Sequence, residues 1–245
     1  DWEMTVGLDN MTAYNWRGLQ QSYYTFGYNA MPQIYFDRYG DTFEWEFGVY
    51  DVEEVRPKGE RFMELGAWAS VSAYNFTLMA QTYGLDTKLW NKNAGYGAVG
   101  DFSIGYAYPL SERFCPSLTW NTILLGDDYR YDGLEEKRAF SSYLELLLPV
   151  TVGDGIELCG TVGANPYCSP YYYNAKDKFR ISNLGLAASY EFDLGNGMTM
   201  PLKVEGGYNP VYKDFEGILE DLDIMGNPNG FYCGLTLGFY FTKGF

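Results

Sequence analysis

Hydrophobic and polar positions alternate with a period of two along most of this chain, the signature of strands that show one face to each of two environments. From Thr42 to Asp51, Phe43, Trp45, Phe47 and Val49 share one face, and Glu44, Glu46, Gly48 and Tyr50 share the other. The last segment repeats this, with Phe231, Cys233, Leu235, Leu237, Phe239 and Phe241 set against Tyr232, Gly234, Thr236, Gly238 and Tyr240. Residues 183–194 do the same, and no helical stripe of comparable length occurs. The pattern predicts about twelve strands, over 3–12, 29–39, 42–51, 61–73, 76–85, 98–108, 113–125, 139–150, 156–165, 181–193, 198–208 and 231–241. Several reach about ten residues, the length that crosses a bilayer as a tilted strand.

The connections fall into two classes that alternate. After the second, fourth, sixth, eighth and tenth strands they are tight: Gly40-Asp41, Tyr74-Asn75, Pro109–Glu112, Gly153–Gly155 and Gly195–Gly197. After the others they are long and polar, as in 126–138 and 209–230. Short turns at one end and long loops at the other are what an up-and-down membrane barrel builds. The expected fold is therefore all-β: one domain over 1–245, a closed antiparallel up-and-down transmembrane β-barrel of about twelve strands. A hairpin centred on Gly40-Asp41 would set Asp37 opposite Glu44 and Tyr35 opposite Glu46.

Composition supports strands, with 19% aromatic residues and 29 glycines. A net charge of −15 opposes binding to a phosphate backbone, so no nucleic-acid partner is expected. The absence of histidine removes histidine-based hydrolases and most zinc sites, so neither an enzyme nor a cofactor is expected. Cys115, Cys159, Cys168 and Cys233 lack CxxC spacing and read as free thiols.

A last strand of alternating apolar residues that closes on Phe245 resembles the C-terminal signature of Gram-negative outer-membrane proteins, although Lys243 stands where an apolar residue is usual. That resemblance implies a bacterial outer membrane with both termini periplasmic, contact with its lipid, and the barrel assembly machinery as a partner during biogenesis. Tyr14–Ser22, with Trp16, Arg17 and Gly18 at its centre, is similar to the Tyr-x-aromatic-Arg-Gly-x-x-Gln segment of TorF-type putative porins. The alternative for this segment is a loop whose Arg17 folds inward to neutralise an acid.

Inward positions carry whatever function such a barrel has. The expected pore-lining set is Asp37, Glu44, Glu46, Glu64, Asp101, Glu145, Lys203 and Glu205, with Tyr35 and Trp68 narrowing the bore. Acidic linings favour cations. Inward Gly and Ser argue for open space, whereas inward tyrosines argue for a plugged interior. Trp16, Arg17, Tyr171, Tyr172 and Tyr173 are expected on surface loops, and the acidic stretch 216–223 reads as a solvated loop. The function these features suggest is a narrow pore for small solutes. The rival is a non-conducting accessory barrel that docks another envelope protein or complex.

Overall fold

The computed structural model describes residues 1–20, 28–55, 63–84, 98–126, 128–132, 135–172, 174, 176–211 and 230–245. Twelve strands form the barrel: β1 (Trp2–Met11), β4 (Tyr28–Tyr39), β5 (Glu44–Val55), β6 (Met63–Ala73), β7 (Phe76–Tyr83), β8 (Val99–Ala107), β9 (Ser117–Gly126), β12 (Ser142–Val152), β13 (Ile156–Asn165), β14 (Arg180–Gly195), β15 (Met198–Tyr208) and β16 (Phe231–Gly244). Two small hairpins, β2 (Asn15–Trp16) with β3 (Leu19–Gln20) and β10 (Tyr129–Asp132) with β11 (Glu135–Arg138), belong to the long loops, as does a 3-10 turn at Pro170–Tyr172.

Each barrel strand pairs with its sequence neighbours, and β1 pairs antiparallel with both β4 and β16. Val6 thus has Ile34 on one side and Phe241 on the other. This double pairing removes every free edge, the condition under which a sheet survives in hydrocarbon. Trp2 and Phe245 exchange backbone hydrogen bonds of 3.4 and 3.0 Å, which joins the two ends of the chain beside the short turns.

Alternation decides what faces outward. Phe47, Val49, Leu78, Ile104, Leu158, Leu186 and Val204 stand exposed on the outer wall, Leu186 at 75%. Inward neighbours of the same strands are covered: Tyr50, Val52 and Tyr143 are buried, Val52 completely. Such an inverted distribution, apolar outside and polar within, is stable only where hydrocarbon replaces water around the wall. Aromatic residues gather at the short-turn end, where Phe76 and Tyr106 lie 4.6 Å apart and Tyr190 and Phe192 4.7 Å apart.

Two local expectations are corrected. The reversal between β4 and β5 takes residues 40–43, closed by Gly40 N–H donating to the Phe43 carbonyl at 3.1 Å. The register moves by two as a result, so Asp37 opposes Glu46, Tyr39 opposes Glu44 and Tyr35 opposes Gly48. A shift of two leaves every side chain on its expected face. The turn after β8 is also longer than the expected Pro109–Glu112. Ser111 and Phe114 close a bridge within it, and Phe114 also bridges to Val150, so β9 begins only at Ser117.

The wall sets a first prediction. Leu186→Arg places a cation on the outer face at mid-strand and should cost about 2–4 kcal/mol of folding free energy in lipid vesicles. Ala187→Arg, one residue on and facing inward opposite Glu205, should cost less than half as much. Urea titration of refolding into vesicles measures both, and equal costs would contradict the assignment of faces.

Candidate functional site

The barrel is filled at its long-loop end by the segment that follows β1. Thr12 still belongs to the β1–β16 ladder: its N–H donates to the Leu235 carbonyl at 2.9 Å, and its Oγ1 accepts from Leu235 N–H at 3.0 Å. From Ala13 the chain turns inward as the β2–β3 hairpin, whose tip is Arg17-Gly18 with φ of 49° and 79°. Two central residues at positive φ define the tight reversal that matches strand twist. Gly18 suits such a position and Arg17 does not, so the tip conformation is held by what Arg17 touches. Gly18 is also required for space, since a Cβ there would sit 2.8 Å from the Asn183 side chain.

Arg17 reaches three parts of the wall at once. Its Nη2 pairs with Asp101 Oδ2 of β8 at 2.6 Å and donates to Asn121 Oδ1 of β9 at 2.8 Å, while Nη1 donates to the Tyr172 hydroxyl from the loop after β13. The guanidinium carbon lies 4.7 Å from the Trp16 ring centre and 5.6 Å from those of Tyr143 and Tyr172. Trp16 in turn stacks on Tyr172 at 5.5 Å and meets Tyr83 edge-on at 5.1 Å. The pair is almost dry, the side chains of Arg17 and Asp101 being 10% and 2% exposed. Burial, reinforced by the Asp101 carboxylate and opposed by the guanidinium, holds the Tyr172 phenol well above its usual range, so it stays neutral.

The wall residues also bond one another. The Tyr83 hydroxyl lies 2.9 Å from Gln81 Oε1 and 3.3 Å from Asp101 Oδ2, Asn121 Nδ2 donates to the Tyr143 carbonyl at 3.2 Å, and Asn183 Nδ2 donates to Tyr143 Oη at 3.2 Å. The loop that supplies Tyr172 is anchored in the same way. Its Ser169 accepts from Ser142 N–H at 3.0 Å and its Tyr171 N–H donates to Ser141 Oγ at 3.2 Å, which itself donates to buried Asp128 at 2.7 Å.

The residues expected to line a lumen divide into two groups. Toward the long loops their charges are spoken for. Asp101 is paired, Glu64 accepts from Tyr14 at 3.2 Å and Tyr50 at 3.0 Å, and Glu205 takes Asn15 at 3.0 Å and Lys203 at 2.6 Å. Glu145 lies beside Tyr143 in the field of Arg17 and Lys203. Toward the short turns Glu46 accepts from the Trp68 indole and faces Asp37 across the β4–β5 pair, Tyr35 packs 6.1 Å from Trp68, and Glu44 is exposed.

The expected surface positions are placed differently. Trp16, Arg17 and Tyr171 are at least partly buried and Tyr172 is 2% exposed, because the loops that carry them fold into the mouth. Tyr173 and the stretch 216–223 lie outside the described residues. The inward glycines give less space than their lack of side chains suggests. The Tyr50 ring lies over Gly66, Tyr143 over Gly163, and Tyr232 over Gly185 and Gly207, so the rings fill what the glycines vacate. Sequence reasoning did not single out Asn121 and Asn183. Their only signal is a carboxamide at an inward position of a strand.

No family model matches the chain, and no curated protein does. Solved structures do. The chain is similar to the CymD monoaromatic hydrocarbon channel at 10% identity, covering 100% of this chain and 88% of that one with a TM-score of 0.51. The P. putida toluene transporter TodX gives 10% identity, 100% and 90% coverage and 0.48, and the β domain of the Bordetella autotransporter BrkA gives 12%, 98% and 98%, and 0.42. What the chain shares with CymD is a fold. That fold is a closed antiparallel β-barrel.

Removing the partner charge tests the hub. Asp101→Asn leaves a dry guanidinium unpaired, which costs about 3–5 kcal/mol where such pairs are buried. The expected outcome is amide hydrogen exchange of residues 12–20 accelerated by two orders of magnitude or more, with the barrel still migrating as a folded species on an unheated gel. Unchanged protection of that segment would show that Asp101 does not hold it.

Proposed function

We propose that this chain is a gated pore of the bacterial outer membrane for small solutes. Its short turns and both chain termini face the periplasm, its acidic inner wall favours cations, and the 12–20 segment closes it in the present conformation. The observation that carries the reading is the chemistry of the closure. A plug serving stability alone is as well made from apolar side chains, because desolvating two ions offsets most of their attraction. Here the closing segment is held by polar contacts, the Arg17 guanidinium on a strained backbone together with hydrogen bonds to Glu64 and Glu205. Contacts of that kind exchange for water or for another cation.

The carboxylates support the cation preference. Asp37, Glu44 and Glu46 crowd one arc of the wall, and Lys203 is bound to Glu205. Rings of carboxylates select cations in pores. CymD is named for monoaromatic hydrocarbons, and a charged inner wall such as this one suits a different solute.

Planar-bilayer recording of the refolded full chain tests the proposal. The native protein should open rarely, Arg17→Ala should raise open probability at least tenfold, and reversal potentials in a KCl gradient should lie toward the potassium potential. Silence of both proteins would overturn the pore and favour an accessory barrel, and chloride selectivity would overturn the role of the acids.

A further inference from the structure

The closing contact has the composition of a ligand site. Three acceptors converge on one planar cation: Asp101 Oδ2, Asn121 Oδ1 and the Tyr172 hydroxyl. Aromatic rings from the wall and the loops flank it, the ring centres of Tyr143 and Tyr172 each 5.6 Å away. Cation recognition by aromatic faces with a carboxylate strengthens as water is excluded, and this site is dry. The Asn121–Tyr143 hydrogen bond holds Asn121 from the wall side, and the Tyr83 hydroxyl, whose shorter bond of 2.9 Å goes to Gln81, lies 3.3 Å from Asp101 Oδ2. The second carboxylate oxygen, Asp101 Oδ1, is buried and accepts no hydrogen bond from the described residues. Arg17 therefore leaves part of the acceptor capacity unused, which an untethered cation with donors on both sides can take up. The tether is also strained at φ 49°, a cost that a free ligand does not bear.

We propose that the pocket filled by Arg17 is a recognition site for small guanidinium-bearing cations, and that Arg17 is its tethered occupant. The inference rests on the pore reading only for its consequence, since displacement of Arg17 is what would open the barrel; the site itself is defined by equilibrium binding. A planar cation bearing N–H donors satisfies all three acceptors, whereas a quaternary ammonium offers none, so the geometry selects the guanidinium class. The tether acts at an effective concentration of roughly millimolar, which masks the site in the native chain.

The test uses the full chain refolded in detergent micelles, with methylguanidinium chloride as the probe and tetramethylammonium chloride and NaCl at equal ionic strength as comparisons. Arg17→Ala should show a saturable rise in melting temperature with methylguanidinium. The apparent affinity should be at least tenfold weaker in the native protein, and the rise should vanish in Arg17→Ala/Asp101→Asn. Arg17→Gln, a shorter and uncharged side chain that keeps two N–H donors, carries the same comparison should the alanine variant fail to refold. A missing or non-saturable effect, an equal effect of tetramethylammonium or NaCl, or persistence in the double variant would each overturn the site. Because the titration needs no current, saturable binding to a silent barrel would refute the pore and keep the site, and a conducting Arg17→Ala barrel that binds nothing would do the reverse.

Discussion

Closure of the sheet on itself is the constraint from which the rest descends. In hydrocarbon an unpaired backbone N–H or carbonyl costs several kcal/mol, so a strand may span only if both its edges are occupied. Here the requirement is met by β1, which lies between β4 and β16. Once the cylinder closes, the period of two gives each strand one face for lipid and one for the interior. An acid at an inward position then has only water, another side chain or a loop to answer it. The two ends of this barrel answer differently, with ion-paired or hydrogen-bonded carboxylates such as Asp101 and Glu64 beneath the long loops and exposed ones, such as Glu44, at the short turns.

Inside, rings lie over glycines, carboxylates take phenol or indole donors, and one guanidinium ties the first loop to β8, β9 and the loop after β13. The interior is thus packed by groups that make hydrogen bonds, in contrast to an ordinary hydrophobic core. Each bond there stands in for one to water, so its net contribution is small and depends on water staying out.

Much of this was legible in the sequence because parity survives errors of placement. All twelve barrel strands fall where alternation predicts them, and even the two-residue error of register beside Gly40 kept Asp37 and Glu46 inward. Loops have no such protection. The Tyr14–Ser22 segment carried two readings, a porin-like motif or a loop whose Arg17 folds inward onto an acid, and local pattern could not name that acid; it is Asp101, far along the chain, with Asn121 beside it. The overestimate of open space arose in the same way. A glycine read alone is a void, whereas read with the tyrosine across from it, as Gly66 with Tyr50, it is a seat for a ring.

The hairpin after β1 touches the wall through Glu64 of β6, Asp101 of β8, Asn121 of β9 and Glu205 of β15, and packs on Asn183 of β14. Those strands lie on widely separated arcs of the cylinder, so the hairpin cross-links points of the wall that the ladders connect only the long way round. The shape of the tube at that end therefore answers to a segment that is not part of its sheet.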